Sequence, residues 1–213
     1  MTTNTMMALL PTQQIRTKRG RRSGVPGLLL LLSIVLLPHR TGHAQAVYLT
    51  TRQALTEFFP KSERVTFFKV PLSAEQRGRL AARLGYDPGR AAQTFYVGLT
   101  GRRIDGYAVV DEQQGLSLPI TFAVLLDTSG RVERMEILAY REPRGDEVRS
   151  PRFRNQFVGK RSSDAIRAHD DISAVSGATI SSRSMAIGVR RAVLMLEELV
   201  LARGGAGARP LSP

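Results

Sequence analysis

The 213-residue chain contains no cysteine and no tryptophan, and only three histidines. Without cysteine there are no disulfides, no thiolate nucleophile, no thiolate zinc site and no iron–sulfur cluster. Two of the histidines, His39 and His43, fall in the first 46 residues, leaving only His169. A multi-histidine metal centre or a serine–histidine triad therefore has little to draw on. There is no internal repeat and no long low-complexity tract. The longest apolar run, Leu28 to Leu37, is ten residues with Ser33 included, well short of the ~20 that span a bilayer.

Charge of one sign is scarce at the start. The first 46 residues hold Arg16, Lys18, Arg19, Arg21, Arg22 and Arg40 and no acid. That pattern, the apolar run and Ala44-Gln45-Ala46 read as a secretory leader with a small-residue cleavage site, or else as an N-terminal anchor. Either predicts a periplasmic or otherwise extracytoplasmic protein. Of the 31 basic residues, 25 remain beyond the leader against 18 acidic ones, so the net charge falls from +13 to +7. No basic face with interleaved aromatics is visible, so nucleic acid is not an expected partner.

The rest predicts an α+β domain, a mainly antiparallel sheet with helices packed against it. Residues 47–92 read as a helical N-terminal extension. It has a helix over Thr51–Phe59, a strand over Val65–Val70 and a helix opening at Ser73 with Gln76 placed for a capping box. Residues 93–203 read as the main domain, with strands at Gln93–Leu99, Arg103–Val110, from Pro119 to Leu126 and Val132–Tyr140. Apolar residues on both faces of the Pro119 strand predict a central position. A charged loop, Arg141 to Glu147, follows, and then a short helix begins after Ser150-Pro151. The last helix is expected from about Ser182 to Arg203, with Met185, Val189, Ala192, Val193, Leu196, Leu199 and Val200 as its apolar stripe. Residues 204–213 read as a disordered tail.

One stretch stands out chemically. Ser176-Gly177-Ala178-Thr179-Ile180-Ser181-Ser182 puts four hydroxyls and a glycine just ahead of the last helix. Hydroxyls there are expected to cap free backbone amides. The same amides, with the positive end of the helix dipole, form a site for phosphate, and Gly177 lets a ligand approach the backbone. An ordinary helix cap remains the plainer reading of these residues alone. Gly159-Lys160 is no phosphate-binding loop, because Arg154 and Arg161 stand where Gly and Ser or Thr are needed. Lys160, Arg183 and the pair Arg190-Arg191 read as exposed charges.

The wording SGATISSR resembles the attachment motif of the FMN-binding domain family. These are the periplasmic flavin carriers related to the flavinylated subunits of the Rnf and sodium-pumping NADH:quinone reductase complexes. Further landmarks occur in family order: Gly106-Tyr107-Ala108-Val109, Pro119-Ile120-Thr121-Phe122, Tyr140-Arg141-Glu142 to Gly145, and Phe153 to Lys160. The resemblance implies FMN joined by a phosphoester to Thr179 by a separate flavin transferase, with Ser176, Gly177, Ala178, Ile180, Ser181 and Ser182 around it. It also implies a loop carrying Glu142 and Gly145 beside the flavin ring. Ser181 or Ser182 is expected to help hold the phosphodiester. No base is apparent next to Thr179, which fits an external enzyme. Many flavinylated members carry aspartate three residues before the SGAT serine; here that residue is Ser173. The function implied is an electron carrier serving membrane-associated redox proteins, with the flavin supplying the redox chemistry. A flavin-dependent reductase of a small molecule and a non-redox binding or assembly module are the alternatives.

Overall fold

The computed structural model describes residues 46–202. The expected leader, apart from Ala46, and the expected tail lie outside these residues. Six strands form one antiparallel sheet: β1 Ala46–Val47, β2 Arg64–Pro71, β3 Ala92–Thr100, β4 Arg103–Gln114, β5 Pro119–Leu126 and β6 Val132–Tyr140. Their order is β1-β6-β5-β4-β3-β2, a meander of consecutive strands with β1 added beside β6. This is the expected α+β architecture.

Both early helices start where short-range chemistry stops the extended chain. Helix α1, Thr51–Phe58, opens with a reciprocal capping box between Thr50 and Gln53. Helix α2, Ala74–Leu84, does the same between Ser73 and Gln76, and ends on Gly85 in the left-handed conformation. Each box satisfies two amides that the helix itself leaves free. Residues 47–92, read as an N-terminal extension of the domain, contribute to its sheet and core. β2 pairs with β3 along its whole length, and Leu80 and Leu84 of α2 join the main core. The described residues form one compact unit.

β5 sits between β4 and β6 and is buried on both faces. Ile120, Phe122, Val124 and Leu126 point into the larger core, under α2 and the last helix. Ala123 and Leu125 point into a smaller core with Ala54, Phe58 and Phe59 around α1. After a short helix, α3 Pro151–Arg154, that last helix, α4 Thr179–Leu196, continues as a wider π-helical turn over Glu197–Leu201. A Cβ at Gly188 would lie 2.5 Å from the Phe122 ring, so α4 rests directly on β5.

Two expectations need correction here. β4 does not end at Val110 but runs through Asp111-Glu112-Gln113-Gln114. Arg190 and Arg191 are not solvated charges. The Arg191 guanidinium, 6% exposed, bonds to Asp111 Oδ2 (2.9 Å), Gln113 Oε1 (2.8 Å) and the Glu112 carbonyl (2.8 Å). Arg90 takes the other Asp111 oxygen at 2.9 Å. These cations hold a polar stretch in the sheet that its own composition would leave as loop. Arg190 donates to the Ala165 and Arg83 carbonyls, joining α4 to the loop before it and to the end of α2.

Candidate functional site

β6 delivers the chain into a loop that folds back over the start of α4. Tyr140, the last residue of β6, is 2% exposed, and its Oη lies 2.7 Å from both the Arg144 carbonyl and Ser181 Oγ. A carbonyl only accepts, so the phenolic proton goes to Arg144 and Ser181 donates to Tyr140. Gly145 makes the closure possible. Its φ is +92°, and a Cβ there would lie 2.6 Å from Tyr140 Oη and 2.9 Å from Ser181 Oγ. Burial pushes the Tyr140 phenol up from its ordinary range; the Ser181 bond opposes this, and the carboxylates of Glu142, Asp146 and Glu147 add to the rise.

The two segments enclose a cavity of about 350 Å³, lined by Leu116, the loop Glu142 to Gly145, and Gly177 to Ser181. Loop and hydroxyl-rich segment, distant in sequence, are thus two walls of one space. Glu142 is buried, and its Oε1 accepts from the Ser117 amide (2.5 Å) and the Leu118 amide (2.8 Å). It closes the β4–β5 turn, with one carboxylate oxygen committed there. Leu116, at the tip of that turn, is 70% exposed beside the cavity.

α4 starts three residues earlier than expected, so Thr179 is its first residue and Ala178 precedes it as the cap position. The hydroxyls do not cap the helix. Ser182 Oγ, fully buried, donates to the Ala178 carbonyl (2.9 Å) and accepts from the Val175 amide (3.0 Å). Ser181 is spent on Tyr140. Neither proton is free for a phosphate, contrary to the expectation from the sequence. What the first turn offers instead is its own amides, at Thr179, Ile180 and Ser181, with no side chain capping them. Such amides carry the positive end of the helix dipole. The Thr179 side chain is exposed on the cavity wall, as is Ile180, while Gly177 adopts a φ of +81° with open space where a Cβ would be. Ser176 lines a separate cavity of about 380 Å³ with Ser173 and Gln156.

The segment leading to this site is held by polar clamps. Gln156 accepts from the Ser173 amide (2.7 Å) and donates to its carbonyl (3.2 Å). Asp171 accepts from the Ile166 and Arg167 amides and pairs with Lys160 at 2.8 Å. Burial works against ionisation of Asp171, but the Lys160 ammonium and those two amides outweigh it and hold its carboxyl below the ordinary range. Asp171 is thereby committed and does not stand in for the aspartate missing at Ser173. Lys160 is in this pair and outside the cavity lining, as is His169, whose φ is +69°.

The model of the FMN-binding domain family matches residues 115–194. This stretch is an FMN-binding domain. It begins at the β4–β5 turn that carries Leu116 and ends within α4, so both walls of the cavity lie inside it. Among solved structures, the crystal structure of Shewanella oneidensis NqrC is similar at 16% identity, covering 71% of this chain and 88% of that one, with a TM-score of 0.48. No curated protein matches the chain.

The residues present fit FMN. The cavity is of the size ligand sites have, about 300–1,000 Å³. The uncapped first turn of α4 supplies donors for a phosphate, and Leu116, Pro143 and Ile180 supply apolar surface for the ring. Tyr140, Arg144, Pro143 and Leu116 complete a site that the SGAT wording alone did not reveal. An aromatic closing a buried strand, and a leucine in a Gly-Leu-Ser-Leu turn, were the available signals.

Proposed function

We propose that the protein is an exported electron carrier whose FMN is joined to Thr179 by a phosphoester. The observation that carries this reading is the placement of Thr179. It is the first residue of α4, exposed on the wall of the cavity, beside amides that no side chain caps. In the attachment, Thr179 Oγ1 bonds to the FMN phosphorus, the hydroxyl proton is lost and the activated donor releases its leaving group. Among the described residues no histidine lines the cavity, and Glu142, the carboxylate on its wall, has one oxygen bound to the β4–β5 turn, which supports a separate flavin transferase as the catalyst. Once formed, the diester keeps one negative charge against the first turn of α4.

The leader in the sequence supports export, and membrane-associated redox proteins are the proposed electron donors and acceptors. Among the described residues no helix is long and apolar enough to cross a membrane. The flavin supplies the electron chemistry; this chain positions it and leaves part of it open to partners.

Intact mass spectrometry after export with a flavin transferase tests the reading. The expected adduct is FMN less water, absent from Thr179→Ala. Wild-type protein that carries no adduct and retains no free FMN overturns it.

A further inference from the structure

The cavity wall holds two charged residues, Glu142 and Arg144. They are not equivalent. The Glu142 carboxylate is turned to the β4–β5 turn and held by two amides. Arg144 is exposed, and among the described residues no carboxylate lies within ion-pair distance of its guanidinium. Its main chain, by contrast, is fixed. The Arg144 carbonyl accepts from the buried Tyr140 hydroxyl, and Gly145 next to it packs against Ser181. A permanent cation therefore rises from a rigid point on the wall of a partly apolar space, whose other charged residue, Glu142, is held by the β4–β5 turn.

Resting on the FMN reading, we infer that Arg144 sets the reduction potential of the bound flavin by acting as counter-charge to its reduced ring. A guanidinium stays protonated at every relevant pH, so its effect depends only on how the ligand's charge changes. Two electrons taken up with one proton leave the ring one negative charge richer than before. The phosphate carries the same charge in both oxidation states. A cation spent on the phosphate changes affinity and leaves the potential alone, whereas a cation beside the ring favours the reduced form. The first-turn amides at Thr179 to Ser181, on the other wall, would hold the phosphate. Arg144 belongs to the loop wall, and the part of the ligand left for it is the ring. Low polarity in the cavity strengthens the interaction relative to water.

The test is a spectroscopic redox titration of the flavin-loaded protein, as wild type, Arg144→Gln, Arg144→Lys and Arg183→Gln. Arg183 is an exposed charge on α4 outside the cavity lining, and controls for loss of any surface cation. Arg144→Gln is expected to lose about tenfold of the preference for the reduced form, roughly 30 mV downward for a two-electron couple. Arg144→Lys is expected to keep most of it, and Arg183→Gln all of it. A flavin-loaded Arg144→Gln protein with the wild-type potential overturns the inference, even if it holds free FMN more weakly in both oxidation states. Wild-type protein that carries no flavin at all overturns the underlying reading instead.

Discussion

Arg191 and Asp111 lie 2.9 Å apart between α4 and β4, their side chains 7% and 9% exposed. The pair fastens the helix that carries Thr179 to the middle of the sheet. Removing one partner of a buried pair leaves the other charge without compensation, at about 3–5 kcal/mol. Arg191→Met is expected toward the lower end of that range, because Arg90 still reaches Asp111. Arg191→Met with Asp111→Leu is expected to recover part of the loss. Urea unfolding measures both; a single variant within about 1 kcal/mol of wild type would show the pair to be incidental.

Gly145→Ala is expected to destabilise by more than Gly159→Ala. Both glycines have φ between +80° and +95° (92° and 82°), so both substitutions strain the backbone. Only Gly145 has atoms in the way, Tyr140 Oη at 2.6 Å and Ser181 Oγ at 2.9 Å; a Cβ on Gly159 meets nothing within 4 Å. The excess measures the loop-to-helix contact itself. Flavin retention is expected to fall for Gly145→Ala and to stay unchanged for Gly159→Ala.

Tyr140→Phe deprives both the Arg144 carbonyl and Ser181 Oγ of a partner. The expected cost is about 1–3 kcal/mol, the penalty for polar groups left unsatisfied in a buried place. Adding Ser181→Ala should cost little more, since it removes one of the stranded groups. A double-mutant cycle reads the coupling. Fully additive losses would mean that the two hydroxyls act independently.

Asp171 gives a pH signature. Its carboxyl is held below the ordinary range in the folded chain, so the unfolded chain binds its proton first as pH falls. The stabilisation is therefore complete above the unfolded value, near pH 4, and is lost as pH drops through the lower folded value. Asp171→Asn is expected to be less stable at neutral pH and to have a shallower loss of stability below about pH 4. Equal acid sensitivity in the variant would assign that loss elsewhere, with Asp105 and Asp127, also depressed, as the next groups to test.

Local rules carried much of the fold. The capping box at Ser73, the glycine stop at Gly85 and the limits of β6 were readable because each depends on a few adjacent residues, though the matching box at Thr50 was not read. The central place of β5 was readable from its two apolar faces. What failed depended on partners far along the chain. Asp111 to Gln114 looks like loop until Arg191 and Arg90 are placed against it. The site divides the same way. Its wording and its glycine were legible, but the use of each hydroxyl was not. Ser181 is committed by Tyr140, 41 residues earlier, and Ser182 by the carbonyl of Ala178.

The meander also sets an order of assembly. Strands β3 to β6 pair with neighbours in sequence through short connections whose closure costs little entropy, while β2 reaches β3 by way of α2. α4 instead comes from the far end of the chain and must return across β4 and β5 to bury one face of the sheet. Until it docks, the hairpins lack the second wall of the cavity, the one that carries Thr179. Docking then fixes it on the cavity wall, where it stays exposed. Timing between helix docking and flavin transfer thus becomes a kinetic variable, and slowing the docking step with Gly188→Ala, which drives a methyl into Phe122, is the way to vary it.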